Sequence, residues 1–191
     1  MEIHVTPTKL AGAVLIDTEF FRDERGFFME NYHRRRFAEH GLNYDFVQDN
    51  HSRSQANVLR GLHYQDTTAP MGKLVRCTAG RVLDVAVDIR VGSATFGQWI
   101  AVELTEDNMR QIMVPAGFAH GFLTLSDCAE VQYKCTGYYT PSAEGSIVWN
   151  DPDLGIVWPI SDPLLSDRDR NARSLSEYLK APAFTRLQEQ S

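Results

Sequence analysis

Polar side chains recur inside apolar, strand-like stretches at four places in this chain. They lie in the segments 46–54 (FVQDNHSRS), 59–65 (LRGLHYQ), 72–76 (GKLVR) and 114–122 (VPAGFAHGF). A polar group buried in a β-sheet core costs free energy unless it is paired, so such groups in successive strands are expected to line one cavity. The chemistry that they could perform there is proton transfer and the stabilisation of an anion.

His63 is the candidate base of this cavity. A histidine within a strand is by default a satisfied core or surface residue, so its neighbours decide its interpretation. Gly61 can host a β-bulge, which would turn Arg60 and His63 to the same side of the strand although their spacing puts them on opposite faces of a regular one. A cation and a base would then share one pocket.

Lys73 and Tyr133 are candidates for the other groups that proton transfer needs. Lys73 opens a strand after Gly72. It is either a solvated strand end or, pointing inward, a compact charge suited to an oxyanion. Tyr133 alternates with Val131 and Cys135, which is typical of a core tyrosine, but a phenol in a pocket can also transfer a proton. Both interpretations stay open for each residue.

The segment 23–30 (DERGFFME) joins a charged turn to an aromatic strand. Its default interpretation is a solvated turn that leads into an exposed edge strand. Arg25, Phe27 and Glu30 could nevertheless recognise a flat polar ring by stacking on it and pairing with its edge.

Composition excludes several classes of protein. Of the 191 residues, 43% are hydrophobic and 23% charged, which is typical of a globular protein and not of a disordered one. The net charge of -6 argues against a nucleic acid partner, but it permits a local basic pocket for a phosphorylated small molecule. The sequence has no signal-peptide pattern and no apolar run of the roughly 20 residues that span a membrane. Cys77, Cys128 and Cys135 form no CxxC pair, so we expect buried free thiols in the cytoplasm.

The segment 81–90 (RVLDVAVDIR) alternates between apolar and mostly charged residues. This period of two is typical of a half-buried strand. The two faces are formed by Leu83, Val85, Val87 and Ile89, and by Asp84, Ala86, Asp88 and Arg90.

Short segments of this kind recur along the chain between Gly, Pro, Asn, Asp and Ser residues. They predict an all-β sandwich or small barrel rather than alternating βαβ units. Two short peripheral helices are expected, at 33–42, closed by Gly41, and at 174–181, capped by Ser174. We expect residues 1–191 to form a single domain with its core at about 14–175. The last residues, 184–191, should be loosely ordered.

The stretch PAGFAHGF, which contains His120, resembles the second motif of the cupin superfamily, in which the histidine often binds a metal ion. The first cupin motif would supply His-x-His and a nearby carboxylate. Here His63 is followed by Tyr64 and Gln65, and no glutamate occurs before Lys73. Because most of the expected ligands are missing, we predict a cupin jelly roll without a metal ion.

Together, these segments closely resemble the dTDP-4-dehydrorhamnose 3,5-epimerase family over about residues 14–175. The resemblance implies a jelly roll without metal or cofactor that converts dTDP-4-keto-6-deoxy-D-glucose to dTDP-4-keto-L-rhamnose by inverting C3 and C5. The matching segments are FFRDERGFFMENY, FVQDNHSRS, VLRGLHYQ, GKLVRCTAGRVLDVAVDIR, TFGQWIAVEL, VPAGFAHGF and WNDPDLGIVWP.

The same resemblance implies roles for individual residues. It makes His63 the base, Lys73 the group that stabilises the enolate and Tyr133 the proton donor. The aspartate that orients the base falls on Asp169 in LSDRDR. Arg168 stands there in place of the family's usual lysine, so the charge is kept but the geometry is changed.

The resemblance also implies a substrate-binding set and a homodimer, because the thymidine end is contacted by residues from a neighbouring subunit. Arg60 and His120 would hold the diphosphate or the sugar, Gln48, Asn50 and Glu144 would complete the pocket, and Arg25 and Glu30 would contact the thymidine.

Several alternatives stay open at this stage. A related epimerase could invert only C3 or only C5, and CDP- or GDP-linked sugars could replace the dTDP-sugar. A metal-dependent cupin oxygenase or isomerase would need stoichiometric metal. A non-catalytic sugar-binding cupin would tolerate the loss of His63.

Overall fold

Two facing β-sheets make up most of the computed structural model, which describes residues 1–185. The strands are β1 (Ile3–Pro7), β2 (Val14–Thr18), β3 (Phe20–Asp23), β4 (Gly26–Met29), β5 (Gln48–Gln55), β6 (Leu59–Gln65), β7 (Lys73–Ala79), β8 (Arg81–Asp88), β9 (Trp99–Thr105), β10 (Gln111–Val114), β11 (Phe118–Thr124), β12 (Cys128–Cys135) and β13 (Glu144–Ser146). The helices are α1 (Arg34–Glu39), α2 (Asp167–Arg170) and α3 (Leu175–Lys180), with a 3-10 turn at Pro141–Ala143. The prediction of an all-β fold with a few short helices is confirmed.

The strand order places the strands of His63, Lys73, His120 and Tyr133 inside their sheets, while β5 and β13 are edge strands. The six-stranded sheet has the order β1-β2-β10-β7-β12-β5 and the five-stranded sheet the order β13-β6-β11-β8-β9. Strands β3 and β4 form a separate hairpin. Apolar side chains of both large sheets, among them Val75, Val131, Val82 and Phe122, pack into one cluster between them. One wall of any cavity in the sandwich therefore comes from β6 and β11 and the other from β5, β7 and β12.

The prediction of a half-buried β8 is wrong. Val85 and Val87 pack with Tyr178 of α3, while Val82 and Ala86 face the interior of the sandwich. Strand β8 lies between β11 and β9, and both of its faces are covered. Alternation of residue types shows which side chains share a face, but it does not show whether the polar face meets water.

The β-bulge predicted at Gly61 is present. His120 of β11 pairs with His63, but Phe122 pairs with Arg60, so β6 uses one more residue than β11 over this interval. Gly61 has φ +145°, and a Cβ atom there would lie 2.6 Å from the Cα of Gly121. Only glycine fits this close approach of two strands. As a result Arg60 and His63 border the same cavity, as the sequence predicted.

The predicted helix signals are also confirmed. Gly41 follows α1 with φ +79°, and the Ser174 side chain accepts a hydrogen bond from the Glu177 N–H at the start of α3. Cys77 and Cys135 are buried free thiols as expected, whereas Cys128 is partly exposed, at the start of β12.

Of the C-terminal segment predicted to be loosely ordered, residues 186–191 lie outside the described residues. Within residues 1–185, no helix has the length and apolarity to cross a membrane.

Candidate active site

His63 and Asp169 form a close pair at the edge of the cavity. His63 lies on β6, and Asp169 lies in α2, which Ser166 caps by accepting a hydrogen bond from the Asp169 N–H. The distance from His63 Nε2 to Asp169 Oδ1 is 2.5 Å. An ionised carboxylate only accepts hydrogen bonds, so Nε2 carries the hydrogen and Nδ1 is the nitrogen that can take up a proton.

The environment of this pair keeps the imidazole neutral and the carboxylate ionised. Burial lowers the pKa of His63, and the hydrogen bond and charge of Asp169 oppose this only in part. For Asp169, burial acts to raise the pKa, but interactions with His63, Ser166 and Arg168 together outweigh it, so the pKa lies below its usual value. A neutral histidine oriented by a carboxylate is the resting form of a general base.

Arg168 bridges this base to the other side of the cleft. Its Nη1 donates to Glu144 Oε2 at 2.6 Å. Its Nη2 lies 2.8 Å from Nε2 and 3.2 Å from Nδ1 of His63. Because Nε2 already carries a hydrogen, Nδ1 is the ring nitrogen that can accept a hydrogen bond from the guanidinium. The positive charge of Arg168 also lowers the pKa of His63.

Lys73 and Tyr133 form the opposite wall, on β7 and β12 of the other sheet. Lys73 Nζ lies 5.8 Å from the centroid of the Tyr133 ring. Burial lowers the pKa of the Lys73 ammonium. Burial raises the pKa of Tyr133, and a hydrogen bond with Asn50 acts in the opposite direction. Both side chains border the cavity between the sheets, so Lys73 is not a solvated strand end, while Tyr133 packs on the core and also faces the cavity.

Two adjoining cavities of about 570 and 410 Å³ connect these groups. Both are lined by His63, Lys73, Tyr133 and Arg168. The structure therefore brings together the four predicted catalytic residues and six of the predicted binding residues. Arg60, His120 and Asp169 line the larger cavity, Gln48, Asn50 and Glu144 line the smaller one, and Arg168 lines both.

Arg25, Phe27 and Glu30 lie elsewhere in this chain. Arg25 and Phe27 line a separate surface depression on the β3–β4 hairpin, where Arg25 pairs with Asp23. Glu30 follows the hairpin and forms an ion pair with Arg36 at 3.0 Å. A single chain thus does not bring the predicted thymidine-binding residues into the cavity.

Two residues of the site were missed by the sequence analysis. Tyr139 lines the smaller cavity with about half of its surface exposed, and its hydroxyl donates to Glu144 Oε2 at 3.0 Å. Its backbone N–H donates to Gln48 Oε1 at 3.0 Å. Asp84 contacts His120 from within the core. The aromatic pair in TGYY just before Glu144 was the available signal for Tyr139.

The side chains at the positions of the cupin metal motifs have protein partners. Nε2 of His120 bonds to Asp84, and Gln65 donates to the carbonyl groups of Ala69 and Tyr138. Within residues 1–185, no three His, Cys, Asp or Glu side chains are grouped as metal ligands would be.

A β-sandwich with a histidine–aspartate base on one wall and a lysine and a tyrosine on the other defines a class of enzyme. Such a site can remove a proton from carbon, stabilise the resulting enolate and return a proton from the other side. This is the chemistry of a sugar epimerase that acts next to a ketone.

Comparison with known proteins identifies the family. The sequence profile of the dTDP-4-dehydrorhamnose 3,5-epimerase family matches residues 7–177. The dTDP-4-dehydrorhamnose 3,5-epimerase of Salmonella typhimurium is 53% identical over 177 residues, which cover 92% of this chain and 97% of the relative. The chain belongs to the dTDP-4-dehydrorhamnose 3,5-epimerase family.

Solved structures agree with this assignment. The epimerase of Legionella pneumophila, in complex with dTDP-4-keto-L-rhamnose, has a TM-score of 0.88 and 48% identity, covering 92% of this chain and 94% of that chain. The 3'-monoepimerase ChmJ of Streptomyces bikiniensis, in complex with dTDP-quinovose, has a TM-score of 0.89 and 35% identity. The match covers 95% of this chain and 93% of that chain. The cupin-like β-sandwich expected from the sequence is therefore the observed fold.

We predict that Arg168→Gln changes the pH dependence of the reaction. Removing the guanidinium favours the imidazolium form of His63, so the pKa of His63 rises and the base is protonated up to a higher pH. The acid limb of the kcat/KM profile should move to higher pH. Arg168→Lys, which keeps a charge, is the matched control and should move the limb less. An acid limb that is unchanged in Arg168→Gln would contradict the assigned contact.

Proposed function

We propose that this protein converts dTDP-4-dehydro-6-deoxy-D-glucose to dTDP-4-dehydro-L-rhamnose by inverting C3 and C5. The observation that carries the proposal is the position of the acid and the base. His63 lies on the five-stranded sheet, whereas Tyr133 and Lys73 lie on the six-stranded sheet that faces it. Epimerisation removes a proton from one face of a carbon and returns one to the other, which requires groups on two walls. Family membership supports the same activity.

The chemistry follows from the C4 ketone between the two carbons. Nδ1 of His63 takes the proton from C3 or C5, and the electron pair of the broken C–H bond forms an enolate with its charge on O4. The Lys73 ammonium stabilises this oxyanion. Tyr133 then donates a proton to the opposite face of the carbon and becomes a phenolate; the imidazolium releases its proton to solvent, and Tyr133 takes one from solvent. Asp169 stabilises the imidazolium in the interval between the two transfers.

The remaining cavity residues support binding of the nucleotide sugar. Arg60 supplies donors for the sugar or the diphosphate on the side of His63, and His120 supplies a ring nitrogen. Gln48, Asn50 and Glu144 supply polar groups on the side of the smaller cavity. The exposed ring of Tyr139 offers a surface on which a planar base can stack.

We also propose that the protein acts as a homodimer in which the β3–β4 hairpin extends towards the cleft of the partner subunit. Phe21 and Phe28 pair across the hairpin and are 58% and 67% exposed. Phe27 on its other face is 53% exposed. Such a cluster of exposed aromatic side chains is typical of an interaction surface. The hairpin also carries Arg25. Together with Phe27, Arg25 would complete the binding site of the partner subunit for the thymidine of the nucleotide sugar.

We further propose a single domain over residues 1–191 and a cytoplasmic location. The shared apolar cluster between the two large sheets supports one domain. Three free cysteines support a reducing compartment.

A monofunctional epimerase is the second candidate function. The similarity to the 3'-monoepimerase of Streptomyces bikiniensis favours it, at 35% identity. The 53% identity to the Salmonella typhimurium 3,5-epimerase favours inversion of both carbons.

Proton exchange with solvent distinguishes the two candidates. We expect turnover of dTDP-4-dehydro-6-deoxy-D-glucose in D2O to introduce deuterium at both C3 and C5, because each inversion returns a proton from a solvent-exchangeable acid. Proton NMR of the product measures the loss of the H3 and H5 signals. Deuterium at one carbon alone would assign the protein to the monofunctional class.

We predict that His63→Ala and Asp169→Ala each lower kcat by a factor of about 10² to 10⁴, the usual effect of removing a positioned base or its partner. Binding of the nucleotide sugar, measured by calorimetry, should change little. Asp167→Asn is the matched control, because Asp167 is an exposed residue of the same helix. Rates near those of the wild type in either alanine variant would remove that residue from the mechanism.

We predict that the double substitution Phe21→Ser with Phe28→Ser shifts the protein from dimer to monomer and raises KM. The loss of exposed apolar area weakens the association that delivers Arg25 to the partner's site. Sedimentation velocity and steady-state kinetics measure the two effects. Val157→Ser, at a 76% exposed valine outside the hairpin, is the control and should leave both unchanged. A monomeric wild-type protein would contradict the dimer.

A further inference from the structure

Strand β8 carries two aspartates, Asp84 and Asp88, and both are fully buried. The carboxylate of Asp88 is satisfied near its own position in the chain. It accepts hydrogen bonds from Arg90, Ser93 and Thr95. These contacts hold the loop after β8, so Asp88 has a structural role.

Asp84 has a partner of a different kind. Both of its carboxylate oxygens lie close to His120 Nε2, at 3.0 and 2.9 Å. His120 lies on the neighbouring strand β11, directly opposite His63 of β6, and borders the larger cavity with Lys73. Asp84 therefore does not line the cavity itself, but it contacts His120, which does.

We propose that Asp84 is a positioning residue of this enzyme, which fixes the orientation and tautomer of His120 and supplies a buried negative charge near the Lys73 ammonium. The proposal rests on the proposed function, in which His120 binds the substrate and Lys73 stabilises the enolate. Asp84 itself does not touch the substrate.

The tautomer follows from the donor and acceptor properties of the pair. An ionised carboxylate only accepts hydrogen bonds, so the nitrogen facing Asp84 must carry a hydrogen. His120 is therefore protonated on Nε2 whether its ring is neutral or charged. Nδ1 is then the acceptor of the neutral ring, and it becomes a donor only when the ring is protonated.

Asp84 also lies behind the part of the cavity that Lys73 borders, because its partner His120 lines the same cavity as Lys73. Burial lowers the pKa of Lys73, while Cys135, Asp84 and Glu144 raise it and Arg168 lowers it. Two other carboxylates near Lys73 form ion pairs with other residues. Glu144 pairs with Arg168, and Asp169 pairs with His63. Titratable and charged groups from both sheets and from α2 surround Lys73. The five-stranded sheet contributes Arg60, His63, Asp84, His120 and Glu144. The six-stranded sheet contributes His51, Tyr133 and Cys135, and α2 contributes Arg168 and Asp169.

The variant Asp84→Asn tests the role of the charge. An amide oxygen can still accept a hydrogen bond from His120, but the negative charge is lost. We expect kcat/KM to fall by about 10- to 100-fold, as for other residues that orient a functional histidine from behind. Without the carboxylate the Lys73 ammonium loses protons more easily, so the alkaline limb of the kcat/KM profile should move to lower pH.

Asp88→Asn is the matched control, since it removes an equally buried carboxylate from the same strand. It should lower the melting temperature without moving the alkaline limb. An Asp84→Asn enzyme with the rate and the alkaline limb of the wild type would overturn the proposal.

Nitrogen NMR of the wild-type protein gives a test that does not depend on folding of a variant. Histidine labelled with ¹⁵N should show His120 protonated at Nε2 when the ring is neutral. Protonation at Nδ1 alone would overturn the proposal. If the wild type does not turn over the dTDP-sugar, the proposed function fails, whereas the tautomer of His120 still decides whether Asp84 orients that ring.

Discussion

Burial of ionisable side chains between two β-sheets is the constraint on which the rest of the structure depends. A charge removed from water loses several kcal/mol of solvation unless a partner compensates it. Here the partners come from different parts of the fold, so the pairs form only when β6, β8, β11 and α2 hold their positions. The buried pairs are Asp169 with His63 and Asp84 with His120.

The same burial adjusts the chemistry of three groups in the directions that epimerisation needs. It lowers the pKa of His63, which favours the neutral imidazole, and it raises the pKa of Tyr133, which favours the protonated phenol. It also lowers the pKa of Lys73, and nearby Asp84 and Glu144 act against this shift. Charged partners refine these shifts, as the guanidinium of Arg168 does by lowering the pKa of His63 further.

The sequence features that predicted the site well are local ones. The bulge at Gly61 depends on one glycine and its nearest neighbours, and the cap of α3 depends on Ser174 and Glu177. The inward direction of Tyr133 followed from its alternation with core residues. Strand β8 was misinterpreted because the alternation of Asp84 with valines is the same whether the aspartate face meets water or a second sheet.

The sequence by itself therefore determined the all-β class, the candidate base and acid, and the resemblance that assigned their roles, because residue types and short-range spacing carry that information. Only the tertiary structure decided that His63 and Tyr133 stand on opposite walls, that Arg168 lies against the base and that Asp84 supports His120. Each of these contacts joins residues at least 36 positions apart in the chain. Such contacts depend on how the sheets pair and pack, which no local pattern specifies.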